Sequence, residues 1–99
     1  MTVVSVREVT PHIGKEKLVE GRMRRAEAII AKHGAHTRMY KTVVGQGVGD
    51  YLLFSMYESF ASATKSFQSF LSNADMATMI EERSTSPSVD IKGPDVYKN

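Results

Sequence analysis

The sequence predicts an α+β domain made of two β-α-β halves joined by a hairpin. Three observations predict it. Runs with strand character, Val3 to Val9 and Tyr51 to Tyr57, each precede a stretch with apolar residues at helical spacing. A Gly-rich segment, Gly45 to Asp50, separates two strand-like runs in the middle of the chain. A last short run, Val89 to Lys92, follows the second helical stretch.

In the first run Val3, Val4, Val6, Val9 and Thr10 are β-branched, and alternation sets Val4 and Val6 opposite Ser5 and Arg7. Pro11 and Gly14 break this strand. From Lys15 the spacing changes, with Val19, Met23, Ala26, Ile30 and His33 recurring every three or four residues on one helical face. Lys32 and His33 suit the negative end of the helix dipole, and Gly34 supplies the left-handed residue that stops it. His36 to Val44 is a second strand and Tyr51 to Tyr57 a third, which makes the Gly-rich segment an antiparallel hairpin. Ser59 is placed to cap a helix with Phe60, Ala63, Phe67 and Leu71 on one face, Phe70 beside them. Asn73 can cap a further segment carrying Met76, Met79, Ile80 and Arg83, as a continuation or as a separate helix. Pro87 marks its end, Val89 to Lys92 forms the last strand, Gly93-Pro94 closes it, and the tail beyond is expected to be loose.

Two right-handed β-α-β crossovers joined by a hairpin give a four-stranded antiparallel sheet with the helices on one face, the ferredoxin-like βαββαβ arrangement. The whole chain, 1–99, is one such domain. Its other sheet face is left uncovered. Leu52, Phe54 and Met56, with Val4 and Val6, are expected to meet the helices, and Tyr51, Leu53 and Tyr57, with Ser5 and Arg7, to face a twofold-related sheet. Either set is too apolar to stay wet, so a homodimer through the sheet face, a dimeric α/β barrel, is the expected assembly.

Composition narrows the function classes. A domain of 99 residues buries only about 65% of its unfolded surface, and with no cysteine it has neither a disulfide nor a thiolate site to add stability. A net charge of +2 is too small to imply an acidic polymer, so no nucleic acid partner is expected. No run is long and apolar enough for a membrane span and the start has no signal-peptide pattern, so the expectation is a cytoplasmic protein without a membrane partner.

Lys32-His33-Gly34-Ala35 at the end of the first helix, the Gly-rich hairpin, and the passage from the third strand through Tyr57-Glu58-Ser59-Phe60 into a helix rich in Ala and Ser resemble the dimeric α+β barrel superfamily. The join is similar to that of the NIPSNAP-like and antibiotic-biosynthesis-monooxygenase-like branches. The resemblance spans nearly the whole chain and implies a backbone rather than a reaction, since the superfamily holds cofactor-free monooxygenases, haem-degrading enzymes, isomerases and dehydratases. The absence of tryptophan leaves no match to an Asn-Trp-His constellation of the haem-degrading kind. The resemblance implies a homodimeric small-molecule-binding protein for an apolar or aromatic ligand, with a cofactor-independent monooxygenase or isomerase as its catalytic form. The alternative is a non-catalytic dimerisation or stress-associated module with no ligand pocket.

The candidate catalytic residue is His33, a general base at the rim of a pocket between helix and sheet; the plainer role is a hydrogen-bonded helix terminus. Candidate ligand-binding residues are Arg7, His36, Tyr40, Phe54, Tyr57 and Phe67. Arg7 in a central strand must be paired or line a cavity, and pairing with an acidic group of a partner subunit competes with anion binding. Tyr40, Tyr51 and Tyr57 could line an aromatic pocket or simply pack. His33 and His36 lack a nearby carboxylate, so no metal and no cofactor is assigned. The glycines at 45, 47 and 49 join strands rather than opening a helix, which argues for a hairpin against a phosphate loop. The cations Lys15, Lys17, Arg22, Arg24 and Arg25, interleaved with Glu16, Glu20 and Glu27, read as a solvated helix face.

Overall fold

The computed structural model describes residues 2–99. Its elements are β1 (Val3–Pro11), α1 (Glu16–Lys32), β2 (His36–Lys41), β3 (Tyr51–Tyr57), α2 (Phe60–Leu71), α3 (Ala74–Thr85) and β4 (Val89–Lys98). The sheet order is β2-β3-β1-β4, every neighbouring pair antiparallel, which is the ferredoxin-like topology with β1 and β3 central. No helix among the described residues is long and apolar enough to cross a membrane.

The helix starts follow local side-chain chemistry. The Ser59 hydroxyl accepts from the Ser62 amide at 3.1 Å, satisfying one of the free donors of α2. Asn73 Oδ1 accepts from the amides of Asp75 and Met76 at 2.8 and 3.2 Å, so α3 is a separate helix with its own cap. Val19, Met23, Ile29 and Ile30 of α1 are buried, as the periodicity requires. Glu27 of the same helix accepts the Met39 amide at 2.8 Å, which occupies an outward donor of edge strand β2. Arg25 pairs with Glu82 at 2.9 Å and fastens α1 to α3.

The two faces of the sheet are the reverse of those expected from sequence. Val3, Ser5, Val9, Tyr51, Leu53, Ser55 and Tyr57 are buried beneath the helices, in one core with Val19, Met23, Ile30, Phe70 and Met76. Val4, Val6, Leu52, Phe54 and Met56 lie on the open face instead. Both sets are apolar, so alternation fixes the period of the strand but not which side is which. The helix side takes its bulk from Val3, Val9, Tyr51 and Tyr57 at the strand ends, while two small hydroxyls, Ser5 and Ser55, stand opposite each other beside the Arg7↔Leu53 pair.

Strand lengths also depart from expectation. β2 ends at Lys41, three residues before Val44, because the connection of 42–50 is closed by its own hydrogen bonds. β4 continues to Lys98 rather than stopping at Lys92, so the tail is paired with β1. The register shifts between Val6↔Asp95 and Glu8↔Lys92, so Gly93 and Pro94 together oppose Arg7 in a bulge. Gly93 has φ +88°, a conformation that only glycine adopts at little cost, and Pro94 in the bulge has no amide donor to leave unpaired.

Candidate functional site

The row of small side chains leaves a hollow. Ser5 and Ser55 pair across β1 and β3, and Thr37 of β2 stands next to Ser55 with the hydroxyls 3.4 Å apart. Above the two serines, between the sheet and the helices, lies a cavity of about 110 Å³. Its body is apolar, walled by Met23 and Ile30 of α1, Phe67 and Phe70 of α2, and Met79 of α3. Ile80 of α3 and Ile91 of β4, each 39% exposed, also line it.

Arg7, Arg22 and Arg83 also line this cavity, and no carboxylate does. Arg7 faces the helices, not the open side, so pairing with an acidic group across the open face does not apply to it. Burial, and next the like charge of Arg83, lowers the Arg7 guanidinium below its ordinary value. No ion pair among the described residues involves Arg7 or Arg83. Arg22 is not on a solvated face as expected; its Nη1 donates to the Ser86 carbonyl at 2.8 Å and to Ser88 Oγ at 3.0 Å, and its buried Nε has no partner.

The candidate ligand-binding residues divide between the two sides of the sheet. Arg7, Tyr57 and Phe67 line the cavity, with Tyr57 and Phe67 stacked at 6.2 Å between centroids. His36, Tyr40 and Phe54 lie on the opposite face, in a shallow groove with Val4, Leu52 and Met56. Tyr40 meets Phe54 edge to face, centroids 5.5 Å apart. Phe54 and Tyr40 therefore do not share a pocket with Phe67, because the strand alternation that puts Tyr57 under the helices puts Phe54 outside. Tyr51 packs under the helices away from the cavity, where burial and then Glu20 raise its phenol above the usual value.

His33 is not part of the cavity wall. Its ring sits where α1, α2 and α3 meet, with Nδ1 against Ser69 Oγ and Nε2 at 3.4 Å from Asn73 Nδ2. Asn73 Oδ1 is committed to the cap of α3, so its amide group donates to Nε2, and the neutral ring carries its proton on Nδ1 toward Ser69. The His33 carbonyl in turn accepts from Ser66 Oγ at 2.7 Å. This is the helix-terminus arrangement.

Sequence reasoning passed over Arg22 and Arg83 as site residues. A signal for each was present: Arg83 shares a helical face with Met76, Met79 and Ile80, and Arg22 lies three residues from Val19.

No family model and no curated protein matches the chain. Solved structures do resemble it. An uncharacterized NIPSNAP-like domain protein from Burkholderia xenovorans aligns with 99% of this chain and 84% of its own, with a TM-score of 0.74 and 10% identity. A NIPSNAP family protein from Agrobacterium tumefaciens strain C58 covers 99% of this chain and 92% of its own, with TM-score 0.74 and 16% identity. SnoaB, a cofactor-independent oxygenase from Streptomyces nogalater, covers 99% and 92%, with TM-score 0.69 and 13% identity. At such identities the likeness is one of fold, and it is with the branches that the sequence resembles.

Proposed function

We propose that this chain is a one-domain subunit of a homodimeric small-molecule-binding α+β barrel, spanning 1–99, whose ligand site is the cavity between the helices and the sheet. The observation that carries the binding half is the cavity itself: a largely apolar chamber at the middle of the sheet whose lining includes three arginines and three serines. The dimer half is supported by the open face, where Leu52, Phe54, Val4 and Val6 adjoin Met56, 46% exposed, and Tyr97, 56% exposed. Packing two such faces about a twofold axis covers both at once. Catalysis by a cofactor-independent monooxygenase or isomerase is the enzymatic form of this reading, supported by the shared fold of SnoaB. A non-catalytic module is the second reading, and the tied ring of His33 favours it, since among the described residues no histidine lines the cavity.

Thermal shift against small aromatic and aliphatic compounds tests the site. Binders are expected to raise the melting temperature of the wild type and to lose that effect in Ala26→Leu, which fills the chamber from α1. Equal shifts in both proteins would place binding elsewhere. Turnover in the presence of dioxygen and no added cofactor separates the oxygenase from the module.

A further inference from the structure

We infer that the cavity is built for an organic anion, a compact carboxylate whose acid group sits between Arg7 and Arg83 and whose apolar body lies against Phe67 and Met79. The inference rests on the reading of this cavity as a small-molecule site and adds the chemical class of the ligand. Three features of the chamber converge on it. Its lining contains three arginines and no aspartate or glutamate. Two of those guanidinium groups, on Arg7 and Arg83, take part in no ion pair among the described residues, and the third has a buried Nε with no partner. The β4 bulge falls opposite Arg7, so that Pro94 lines the cavity beside it.

A half-buried cation beside a second cation weakens the empty protein, and a carboxylate relieves both the desolvation and the repulsion. Guanidinium groups suit that partner, because their planar forks match the two oxygens of a carboxylate. Arg22 is already spent on Ser86 and Ser88, and so acts as a fixed positive wall rather than as the clasp. The rest of the lining is methionine, aromatic and aliphatic side chains with the hydroxyls of Ser5, Ser55 and Ser88, which leaves room for one apolar body of about the size of a six-membered ring in a chamber of about 110 Å³. Arg7 issues from the central strand β1 and Arg83 from α3, so a bound acid also ties the helix layer to the sheet.

The test uses benzoate, phenylacetate and hexanoate, each beside its uncharged amide, in thermal shift and calorimetry on wild type, Arg7→Met and Arg83→Met. Expected are a raised melting temperature with the acids and none with the amides, and a loss of acid affinity of about tenfold or more in each variant. Arg7→Met, freed of its desolvated charge, is also expected to melt higher than the wild type without ligand. Amides that bind as well as the acids, in a manner lost in Ala26→Leu, would keep the small-molecule site and overturn the anion. Acids that bind Arg7→Met and Arg83→Met as tightly as the wild type would also overturn it. No shift by any probe of either kind would overturn both.

Discussion

Met56→Asp separates a dimer from a monomer by an amount that follows from the open face. Met56 is 46% exposed in the single chain and adjoins Val4 across the sheet, in the apolar stripe that a twofold partner would cover in the proposed dimer. Burying a whole methionine side chain is worth about 1.5–3 kcal/mol, so the half still available contributes roughly 1 kcal/mol per copy and roughly 2 kcal/mol per dimer. Aspartate removes that gain and introduces two carboxylates into a dry contact, at a conservative 2 kcal/mol or so each. The sum, about 6 kcal/mol, raises the dimer dissociation constant by about 10⁴. In a lone chain the new carboxylate stands in water, and the fold loses about 1 kcal/mol or less through strand propensity. Sedimentation velocity at micromolar protein, with far-ultraviolet circular dichroism as the check on folding, reads both. A folded Met56→Asp dimer of wild-type affinity, or a wild type that sediments as a monomer, would refute the covering of this face by a second copy.

Three further outcomes are expected. Gly93→Ala places a Cβ 2.8 Å from both the Val6 carbonyl oxygen and the Asp95 amide nitrogen in a backbone held at φ +88°, so the left-handed strain and the overlap together cost about 2–5 kcal/mol; a fall in melting temperature of only a degree or two would show that the bulge gives way. The hydrogen bond to Asp50, then burial, then the Asp50 charge raise the Glu8 carboxyl above its usual 4.5, so the folded chain holds this proton more tightly than the unfolded one. The stability tied to it is present in full below 4.5 and is lost as pH rises through the folded value; Glu8→Gln is therefore expected to gain on the wild type in melting temperature from pH 4 to 7, and a constant difference across that range would contradict it. His33→Ala removes the contacts to Ser69 and Asn73 and is expected to cost about 1–2 kcal/mol in urea unfolding while leaving carboxylate binding unchanged.

Much of this fold is legible in the sequence because its signals are local. Ser59 and Asn73 announce helix starts through a side-chain oxygen within three residues of the amide it caps, and the apolar spacing of Val19, Met23 and Ile30 needs no knowledge of a partner strand. The sidedness of the sheet is not local. Tyr51, Leu53 and Tyr57 compete with Leu52, Phe54 and Met56 for the helix side, and the choice depends on which set leaves space for α1 and α2. The continuation of β4 past Lys92 is hidden for a related reason. Gly93-Pro94 has the composition of a stop, yet β1 is nine residues long and still offers Val3 to Val6 as partners beyond the bulge, so pairing resumes. Arg7, Tyr57 and Phe67 could be singled out one by one, but their joining with Arg22 and Arg83 requires the register and the packing of α3.

The cavity shows why single-residue reasoning stops there. Ser5, Ser55 and Thr37 are unremarkable hydroxyls in three separate strands, and only the pairing Thr37↔Ser55↔Ser5 lines them up across the middle of the sheet. Larger side chains at Ser5 and Ser55 would pack against Met23 and Phe70 and close the chamber. The small row therefore gives up apolar contact where a domain of 99 residues has little to spare, at the same place where the partly buried Arg7 and the exposed Arg83 line the cavity with no ion-pair partner among the described residues. The hollow and the half-buried Arg7 each cost stability alone, and neither relieves the other, because empty space beside that cation leaves the charge without a partner. A ligand with an apolar body and an acid group relieves both together. Replacing Ser55 by valine separates these contributions: the empty protein is expected to gain stability from the filled space, and compact carboxylates to lose affinity although both arginines remain. A valine variant that is no more stable and binds as before would mean that the hydroxyl row does not set the size of the chamber.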